Sequence, residues 1–327
     1  MLPNRLTPGD EIRVLAPSTS MAVIKGKQIE NAVQCLESLG FNISFGKYVD
    51  EHDEFFSTSI KHRLKDLHDA FQDPNVKGIL TAIGGYNVNQ LLKNIDYNLI
   101  KNNPKILCGH GDITALQLAI YKKTGLITYS GPHFSTFGMN KTSAYTLQSF
   151  LEAVTNDAPF EIIPSNMWSD DKWYIEEKER QYHPNEYMII QEGTAEGKLI
   201  GGNLSTINLL QGTEFLPSIE EDSIFFIEDD EESHPLSFER NLQALLHLPQ
   251  FDKVRGIMIG RFQKGSNMTE SALKRIIGSK YELRGIPIVA NVNFGHTDPI
   301  TTIPIGTKAT LEVFTETVEI YIDQNEY

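Results

Sequence analysis

A glycine-rich turn in the first half of the chain has the form of a reactive-site turn. Gly109-His110-Gly111-Asp112 follows a predicted buried strand, Lys105–Cys108, and precedes a predicted helix. Such a turn exposes the residue at its apex, and the helix N-terminus below it supplies free N–H groups. Nucleophile elbows use this geometry. The alternative is a simple tight turn in which Asp112 caps the helix.

A second glycine turn, Gly84-Gly85, closes another predicted strand, Gly78–Ile83. A backbone N–H in such a turn can donate a hydrogen bond to an oxyanion, although a plain tight turn is the alternative. The third glycine and the following spacing of a dinucleotide-binding fingerprint are missing. The sequence therefore does not predict a nicotinamide or flavin cofactor here.

Two residues in the second half could form an acid–base pair. Glu228 ends the apolar strand Ser223–Ile227 and begins an acidic run, and a carboxylate fixed there could orient an imidazole. His296 lies in a loop after the predicted strand Ile288–Ala290, a position suited to a general base. The alternatives are a solvated acidic face and a structural histidine. No HExxH motif or paired Cys/His spacing occurs, so we expect no metal and no cofactor.

The elements that must position these residues alternate between strand and helix. Apolar spacing predicts a strand at Glu11–Ala16 and helices at Ile24–Leu39, Ser59–Phe71 and Asp112–Lys123. This alternation predicts an α/β domain with a parallel sheet covered by helices on both faces. Sites in such sheets gather at the carboxyl ends of the strands, where both glycine turns fall.

The chain divides into three parts by composition. Residues 1–155 form the predicted N-terminal domain. Residues 156–185 form a polar, aromatic linker that contains a long loop, called the excursion, with Trp168 and Trp173. Residues 186–327 form a second domain that ends in a predicted hairpin, Lys308–Phe314 with Val318–Ile322. We therefore expect the second domain to be β-rich.

Charge and apolar content narrow the class of protein. The 327 residues carry a net charge of -14 without a basic cluster, which argues against a nucleic-acid polymer as partner. The N-terminus lacks a signal-peptide pattern and no apolar run is long enough to span a bilayer, so we expect a cytoplasmic protein without membrane contact. Cys35 and Cys108 lie in apolar contexts and are expected to be buried thiols.

Several short motifs, in order over nearly the whole chain, together resemble the LD-carboxypeptidase family of serine peptidases. They are Leu6–Asp10, Val14–Ser18, Gly84–Tyr86, Gly109 with Asp112–Leu116, Tyr129–Pro132, Gly201–Ser205, Glu228-Asp229 and Gly295-His296. The resemblance implies a flavodoxin-like N-terminal domain, a β-rich C-terminal domain, a site between them and a homodimer. It also implies a Ser–Glu–His triad that works without a metal.

The resemblance assigns roles by position. Glu228 would orient the base His296, and the backbone N–H groups of Gly85 and Asp112 would form the oxyanion hole. The family has serine at the nucleophile position, where this chain has Gly111, and an aromatic residue where it has His110. Substrate contacts would come from Trp168, Trp173, Asn203 and His110.

The excursion from Trp168 to Trp173 resembles the long loop of the microcin C immunity peptidases, a branch of the same family that cleaves peptide– or aminoacyl–nucleotide conjugates. A tryptophan there would stack on a nucleobase. We therefore expect a small peptide or aminoacyl-nucleotide ligand that binds without turnover, because Gly111 has no nucleophile. The alternatives are muropeptide trimming by an LD-carboxypeptidase and a non-catalytic protein that sequesters its ligand.

Overall fold

The computed structural model describes residues 1–175 and 180–327. The first half alternates strand and helix, as the apolar spacing predicts. Its strands are β1 Glu11–Leu15, β2 Asn42–Phe45, β3 Val76–Thr81, β4 Ile106–Gly109 and β5 Thr128–Ser130. Its helices are α1 Gly26–Ser38, α2 Ile60–Gln72, α3 Tyr97–Asn102, α4 Ile113–Thr124 and α5 Ala144–Thr155.

The second half is richer in strands. They are β6 Phe160–Glu161, β7 Met167–Trp168, β8 His183–Pro184, β9 Met188–Gln191, β10 Gly193–Asn203, β11 Ser223–Glu228, β12 Val254–Gly260, β13 Ile288–Val292, β14 Ile303–Ile305, β15 Lys308–Val313 and β16 Val318–Asp323. The helices are α6 Leu204–Leu209, α7 Pro235–Leu246 and α8 Glu270–Gly278.

Two sheets organise the molecule. The first has six strands in the order β14-β5-β4-β3-β1-β2, in which β1 to β5 run parallel and β14 is antiparallel to β5. The second has eight strands in the order β6-β16-β15-β10-β11-β12-β13-β9, with a parallel centre from β10 to β13. The α/β class, with a parallel N-terminal sheet and a β-rich second half, is confirmed.

Helix α4 links the two halves. Its residues from Ile113 to Ile120 are all buried, as expected for a helix that is covered on every side. The hydroxyl of Thr114 on this helix accepts a hydrogen bond from the backbone N–H of Asn203, at 3.0 Å. The end of β10 is therefore held against the first turn of α4.

The sequence of Val88–Lys93 predicts a helix, and the segment Val88–Asn94 forms a 3₁₀ helix. One other element differs from the sequence prediction. Strand β10 is eleven residues long, whereas the sequence predicts only a helix opening at Gly201-Gly202-Asn203. Glycine has low strand propensity, so the pattern hides this strand. A Cβ at Gly201 would lie 1.8 Å from the carbonyl oxygen of Phe226, so the close approach of β11 requires glycine.

We predict that Gly201→Ala lowers the free energy of unfolding by about 3 kcal/mol, because the added methyl must displace backbone of β11. Gly278→Ala is the matched control, since its Cβ would meet no atom within 4 Å at the end of α8. The control should be neutral or stabilise the chain by up to about 1 kcal/mol. Urea denaturation of both variants measures this, and equal stabilities would contradict the prediction.

Candidate active site

A cavity of about 710 Å³ opens between the two halves of the chain. The turns after β3 and β4 line it from one side, and the segments after β10, β11 and β13 line it from the other. Both glycine turns and the loop of His296 therefore reach the same space. Because the carboxyl ends of parallel strands meet at one edge of a sheet, this is the place where a site is expected.

Gly111 lies at the apex of the turn between β4 and α4. Its φ is +62°, in the left-handed region that favours glycine. A Cβ built on Gly111 would lie 3.2 Å from Nε2 of His296. A side chain at this position would therefore point directly at the imidazole, in the arrangement of a nucleophile and its base.

Asp112 is not a side-chain cap for its own helix. Its buried carboxylate instead accepts hydrogen bonds from the hydroxyl of Ser18, at 2.6 Å, and from the backbone N–H of Val88, at 2.9 Å. Burial raises the pKa of this carboxyl, and the two hydrogen bonds oppose the rise. The side chain thus fixes the turn to neighbouring loops, which leaves the backbone N–H at the first turn of α4, where such groups lack intrahelical partners.

Gly85 lines the same cavity as Gly111 and Asp112. Its φ is +151°, and a Cβ there would lie 2.3 Å from the Ser18 hydroxyl and 2.4 Å from the Thr19 hydroxyl. The space beside this backbone is therefore closed to any side chain. A bare backbone facing a cavity is what an oxyanion-binding turn requires.

Glu228 and His296 are in direct contact. Oε2 of Glu228 lies 2.6 Å from Nδ1 of His296, and the carboxylate is buried at the end of β11. This contact directs Nε2 of the imidazole toward Gly111. The hydrogen bond expected from the sequence between these two strand-end residues is present.

The charge of Glu228 controls the protonation of His296. Burial acts to lower the pKa of His296, but the charge and hydrogen bond of Glu228 outweigh it and raise that pKa to about 9. Burial acts to raise the pKa of Glu228, and the histidine more than offsets it, so that this pKa is lowered. The pair is therefore an ion pair at neutral pH.

Stability depends on pH through this pair. Because the pKa of His296 rises from 6.5 to about 9 on folding, its contribution is complete below about pH 6.5 and is lost as pH rises through 9. Because the pKa of Glu228 is lowered from 4.5, its contribution is present above that value and is lost as pH falls. Both contributions are therefore complete between about pH 4.5 and 6.5, where the pair stabilises the fold most strongly.

Two further imidazoles stand beside the turn. The ring of His110 lies 4.1 Å from that of His133 and 5.2 Å from that of His296. Nδ1 of His110 donates to the carbonyl of Gly131, at 2.9 Å, and burial lowers the pKa of His110 to about 4. Burial also lowers the pKa of His133 well below its ordinary value. Both rings are neutral at pH 7 and pack under the turn.

His133 is a lining residue that the sequence analysis missed. Its Nδ1 lies 2.7 Å from the hydroxyl of Thr81, at the end of β3. It directly follows the Tyr129–Pro132 motif, and that adjacency is the signal that could have found it. Among the residues that the structure describes, no group of three His, Cys, Asp or Glu side chains could hold a metal ion.

The two tryptophans occupy different places. Trp173 lines the cavity, whereas Trp168 is 8% exposed and does not line it. The Trp168 ring instead packs under the guanidinium of Arg261, at 4.6 Å, and near the ammonium of Lys264. Of the two candidates for stacking on a nucleobase, Trp173 is the one in position.

The excursion is tied to the loop of His296. Ser169 and Asp298 exchange two backbone hydrogen bonds, of 2.8 and 2.9 Å. Arg180 bridges Asp298, at 3.2 Å, and Asp171, at 2.6 Å. The wall that carries Trp173 is therefore fixed to the same loop as the imidazole.

Asn203, at the end of β10, completes the far wall. Its side-chain oxygen accepts from the backbone N–H of Thr206 and so caps α6. Its amide group reaches Oδ1 of Asp229, at 3.4 Å. Asn203 thus joins the helix start to the acidic segment after β11, and it lines the cavity.

The fold is that of a family of carboxypeptidases. The N-terminal domain model of the LD-carboxypeptidases matches residues 12–131, and the C-terminal domain model matches residues 196–311. The chain therefore belongs to the LD-carboxypeptidase family. No helix in the described ranges 1–175 and 180–327 has the length and apolar character needed to cross a membrane.

Individual relatives show which members of the family this chain is similar to. The chain is 52% identical to the YocD protein of Bacillus subtilis strain 168, over 99% of this chain and 100% of that protein. It is 31% identical to the microcin C7 self-immunity protein MccF of Escherichia coli, over 96% of this chain and 94% of MccF. The crystal structure of an MccF-like protein from Bacillus anthracis superimposes with a TM-score of 0.96 at 50% identity, covering 98% and 99% of the two chains.

We predict that Glu228→Gln lowers the pKa of His296 from about 9 toward 6.5, because burial is then opposed only by the smaller effects of Asp230 and Asp229. Titration of histidine carbon resonances by NMR measures this pKa. Glu316→Gln, which removes one exposed charge from the turn before β16, should leave it unchanged. An unshifted His296 in Glu228→Gln would show that the carboxylate does not control the imidazole.

Proposed function

We propose that this chain binds aminoacyl- or peptidyl-nucleotide conjugates and, as written, does not turn them over. The observation that carries the proposal is the position of Gly111, whose Cβ site lies 3.2 Å from Nε2 of an imidazole that is already paired with Glu228. The pair that would serve as base and orienting carboxylate is formed, and glycine at position 111 offers no side chain to act as nucleophile. We also propose that the chain forms a homodimer, lies in the cytoplasm and divides into the three parts given by its composition.

The geometry supports the roles that the family resemblance implies. A serine at position 111 would attack the acyl carbon while Nε2 of His296 takes its proton, and Glu228 would hold the imidazole and stabilise its charge. The N–H groups of Gly85 and Asp112 would donate to the oxygen that becomes negative. With glycine there, no acyl-enzyme forms, and catalysis is limited to about 10³–10⁴-fold over water.

Structures of relatives support a nucleotide ligand. MccF has been solved in complex with aspartyl sulfamoyl adenosine, with glutamyl sulfamoyl guanosine and, as a mutant, with adenosine monophosphate. These chains are 30–31% identical to this one and cover 98% of it. Trp173 lines the cavity here and supplies an aromatic face for a base. Muropeptides are the competing ligand class, because a Bacillus subtilis relative that is 30% identical is named a murein peptide carboxypeptidase.

We predict that Gly111→Ser restores hydrolysis, with a gain of about four to six orders of magnitude in turnover. The imidazole needs to yield only a few tenths of an ångström to the new Cβ. Gly111→Ala is the matched control, because it adds the same Cβ without a hydroxyl and should stay inactive. The assay follows release of the amino acid from an aminoacyl-nucleotide conjugate, with an L,D-linked muropeptide in parallel.

His110 enters the same experiment. If the strained turn needs an aromatic side chain below it, His110→Tyr combined with Gly111→Ser should exceed the single variant. If the single and double variants fold but cleave neither substrate, the chain is not a peptidase scaffold that a serine can reactivate, and the hypothesis of a ligand-sequestering protein is supported. Cleavage of the muropeptide alone would assign the site to cell-wall peptides.

We predict that Trp173→Ala weakens binding of alanyl sulfamoyl adenosine by about ten- to a hundredfold, the value of one base–aromatic stack. Trp173→Phe keeps an aromatic face and should retain most of the affinity. Isothermal calorimetry with both variants measures the effect, with a muropeptide as the ligand that lacks a base. Equal affinity of the alanine variant and the unaltered chain would rule out stacking on Trp173.

A further inference from the structure

The cavity wall is strongly acidic. Eight of its lining side chains are carboxylates, whereas the cationic side chains among the described lining residues are Arg180 and the protonated His296. A cavity lined by one sign of charge concentrates ligands of the opposite sign. The charge of this wall therefore bears on which acyl groups the site accepts.

Most of these carboxylates are already matched by protein groups. Arg180 forms ion pairs with both Asp171 and Asp298, and Lys172 pairs with Glu231 at 2.7 Å. Of the remaining carboxylates, Asp170 lies 3.8 Å from the ammonium of Lys264, and Asp112 is held by the Ser18 hydroxyl and a backbone N–H. These five carboxylates therefore already interact with cationic or hydrogen-bonding groups of the protein.

Three carboxylates of the segment after β11 are left. Asp229, Asp230 and Glu232 form no ion pair with any residue in the described part of the chain. Glu232 accepts a hydrogen bond from the hydroxyl of Tyr86, at 2.7 Å across the cavity mouth. The charges of Asp230 and Asp229 both contribute to the raised pKa of His296, so this group stands beside the reaction centre.

Asp229 is the innermost of the three. Only 2% of it is exposed, and Oδ1 accepts hydrogen bonds from the Asp230 N–H and the Asn203 amide. Oδ2 is enclosed and has no hydrogen bond of ordinary geometry among the described residues, and the side chain lines the cavity. Burial raises the pKa of this carboxyl to about 6, and the Ser233 hydroxyl opposes the rise. Burying a carboxylate that is not fully hydrogen-bonded is costly, and a cationic group close to it lowers that cost.

We infer that Asp229, Asp230 and Glu232 form a subsite for a cationic group in the acyl part of the ligand, namely the ammonium or guanidinium of a basic amino acid. The inference rests on the proposed function, because it takes the acyl carbon to lie at Gly111. Carboxylates at this place also repel an acidic acyl group, which gives the site selectivity by charge. Such a subsite would disfavour the aspartyl and glutamyl groups of the ligands with which MccF has been solved.

The test compares three ligands on the chain as written, which binds without turnover. Lysyl, norleucyl and glutamyl sulfamoyl adenosine share every group except the end of the acyl side chain. By calorimetry at neutral pH, the lysyl ligand should bind about ten- to a hundredfold more tightly than the norleucyl ligand, and the glutamyl ligand should bind most weakly. All three share the α-ammonium, so this group cannot produce the difference.

Charge-neutralising variants assign the effect to residues. Asp229→Asn, Asp230→Asn and Glu232→Gln should each weaken the lysyl ligand by about three- to thirtyfold and leave the norleucyl ligand unchanged. The last two lie on partly exposed positions, so they answer the question even if the buried Asp229→Asn fails to fold. Glu316→Gln removes a remote charge and should change nothing.

The outcomes separate the two proposals. Equal affinity for the three ligands, or an equal loss for all three in the variants, overturns the subsite and leaves nucleotide binding intact. An equal loss for all three ligands would mean that the carboxylates bind the α-ammonium, which all three ligands share. Failure of every sulfamoyl adenosine to bind overturns the proposed function, and the subsite with it.

Discussion

The ion pair between Glu228 and His296 is the contact on which the arrangement of the site depends. It joins the end of β11 to the loop after β13, and the surrounding backbone makes room for it. A Cβ at Gly295 would lie 2.7 Å from Oε2 of Glu228, and one at Gly260 would lie 2.8 Å from the Glu228 Cβ. Gly295 therefore has no room for a side chain beside the carboxylate, and Gly260 has none between the Glu228 Cβ and the carbonyl oxygen of Phe294, at 2.7 Å. The imidazole, once held at Nδ1, has a single direction for Nε2, which is toward Gly111.

The glycine turns that form the other side of the site are positioned by the parallel strands of the first sheet. Parallel strands end at a common edge, so the turns after β3 and β4 come together without a dedicated scaffold. Helix α4 is buried on all sides and touches the end of β10 through Thr114. Strand β14 returns to pair with β5 in the first sheet, directly after the His296 loop. These connections fix the distance between position 111 and the imidazole.

The sequence alone predicts the parts of this site that sit at strand ends. Glu228, His296 and the two glycine turns could be found because each follows a short apolar run, and strand ends converge in parallel sheets. Trp168 could not be separated from Trp173, because burial of one ring under Arg261 depends on a contact 93 residues away along the chain. The side chain of Asp112 has the local pattern of a cap, and only the tertiary contact with Ser18 reveals its actual partner. Strand β10 was missed because glycine, required by packing against β11, lowers the local strand signal.

The acidic segment after β11 and the Glu228–His296 pair act on each other through charge. Asp229 and Asp230 add to the field that holds His296 protonated, with a pKa of about 9. A protonated imidazole donates from Nε2 and cannot accept a proton from a nucleophile, so the empty site favours binding over base catalysis. A cationic acyl group beside these carboxylates would offset part of their charge and lower the pKa of His296 toward its ordinary value. In a Gly111→Ser variant, the ligand that fits the acidic wall would thus also increase the fraction of neutral His296, which is the form that accepts a proton. Recognition of the acyl group would then be coupled to the protonation state that hydrolysis needs.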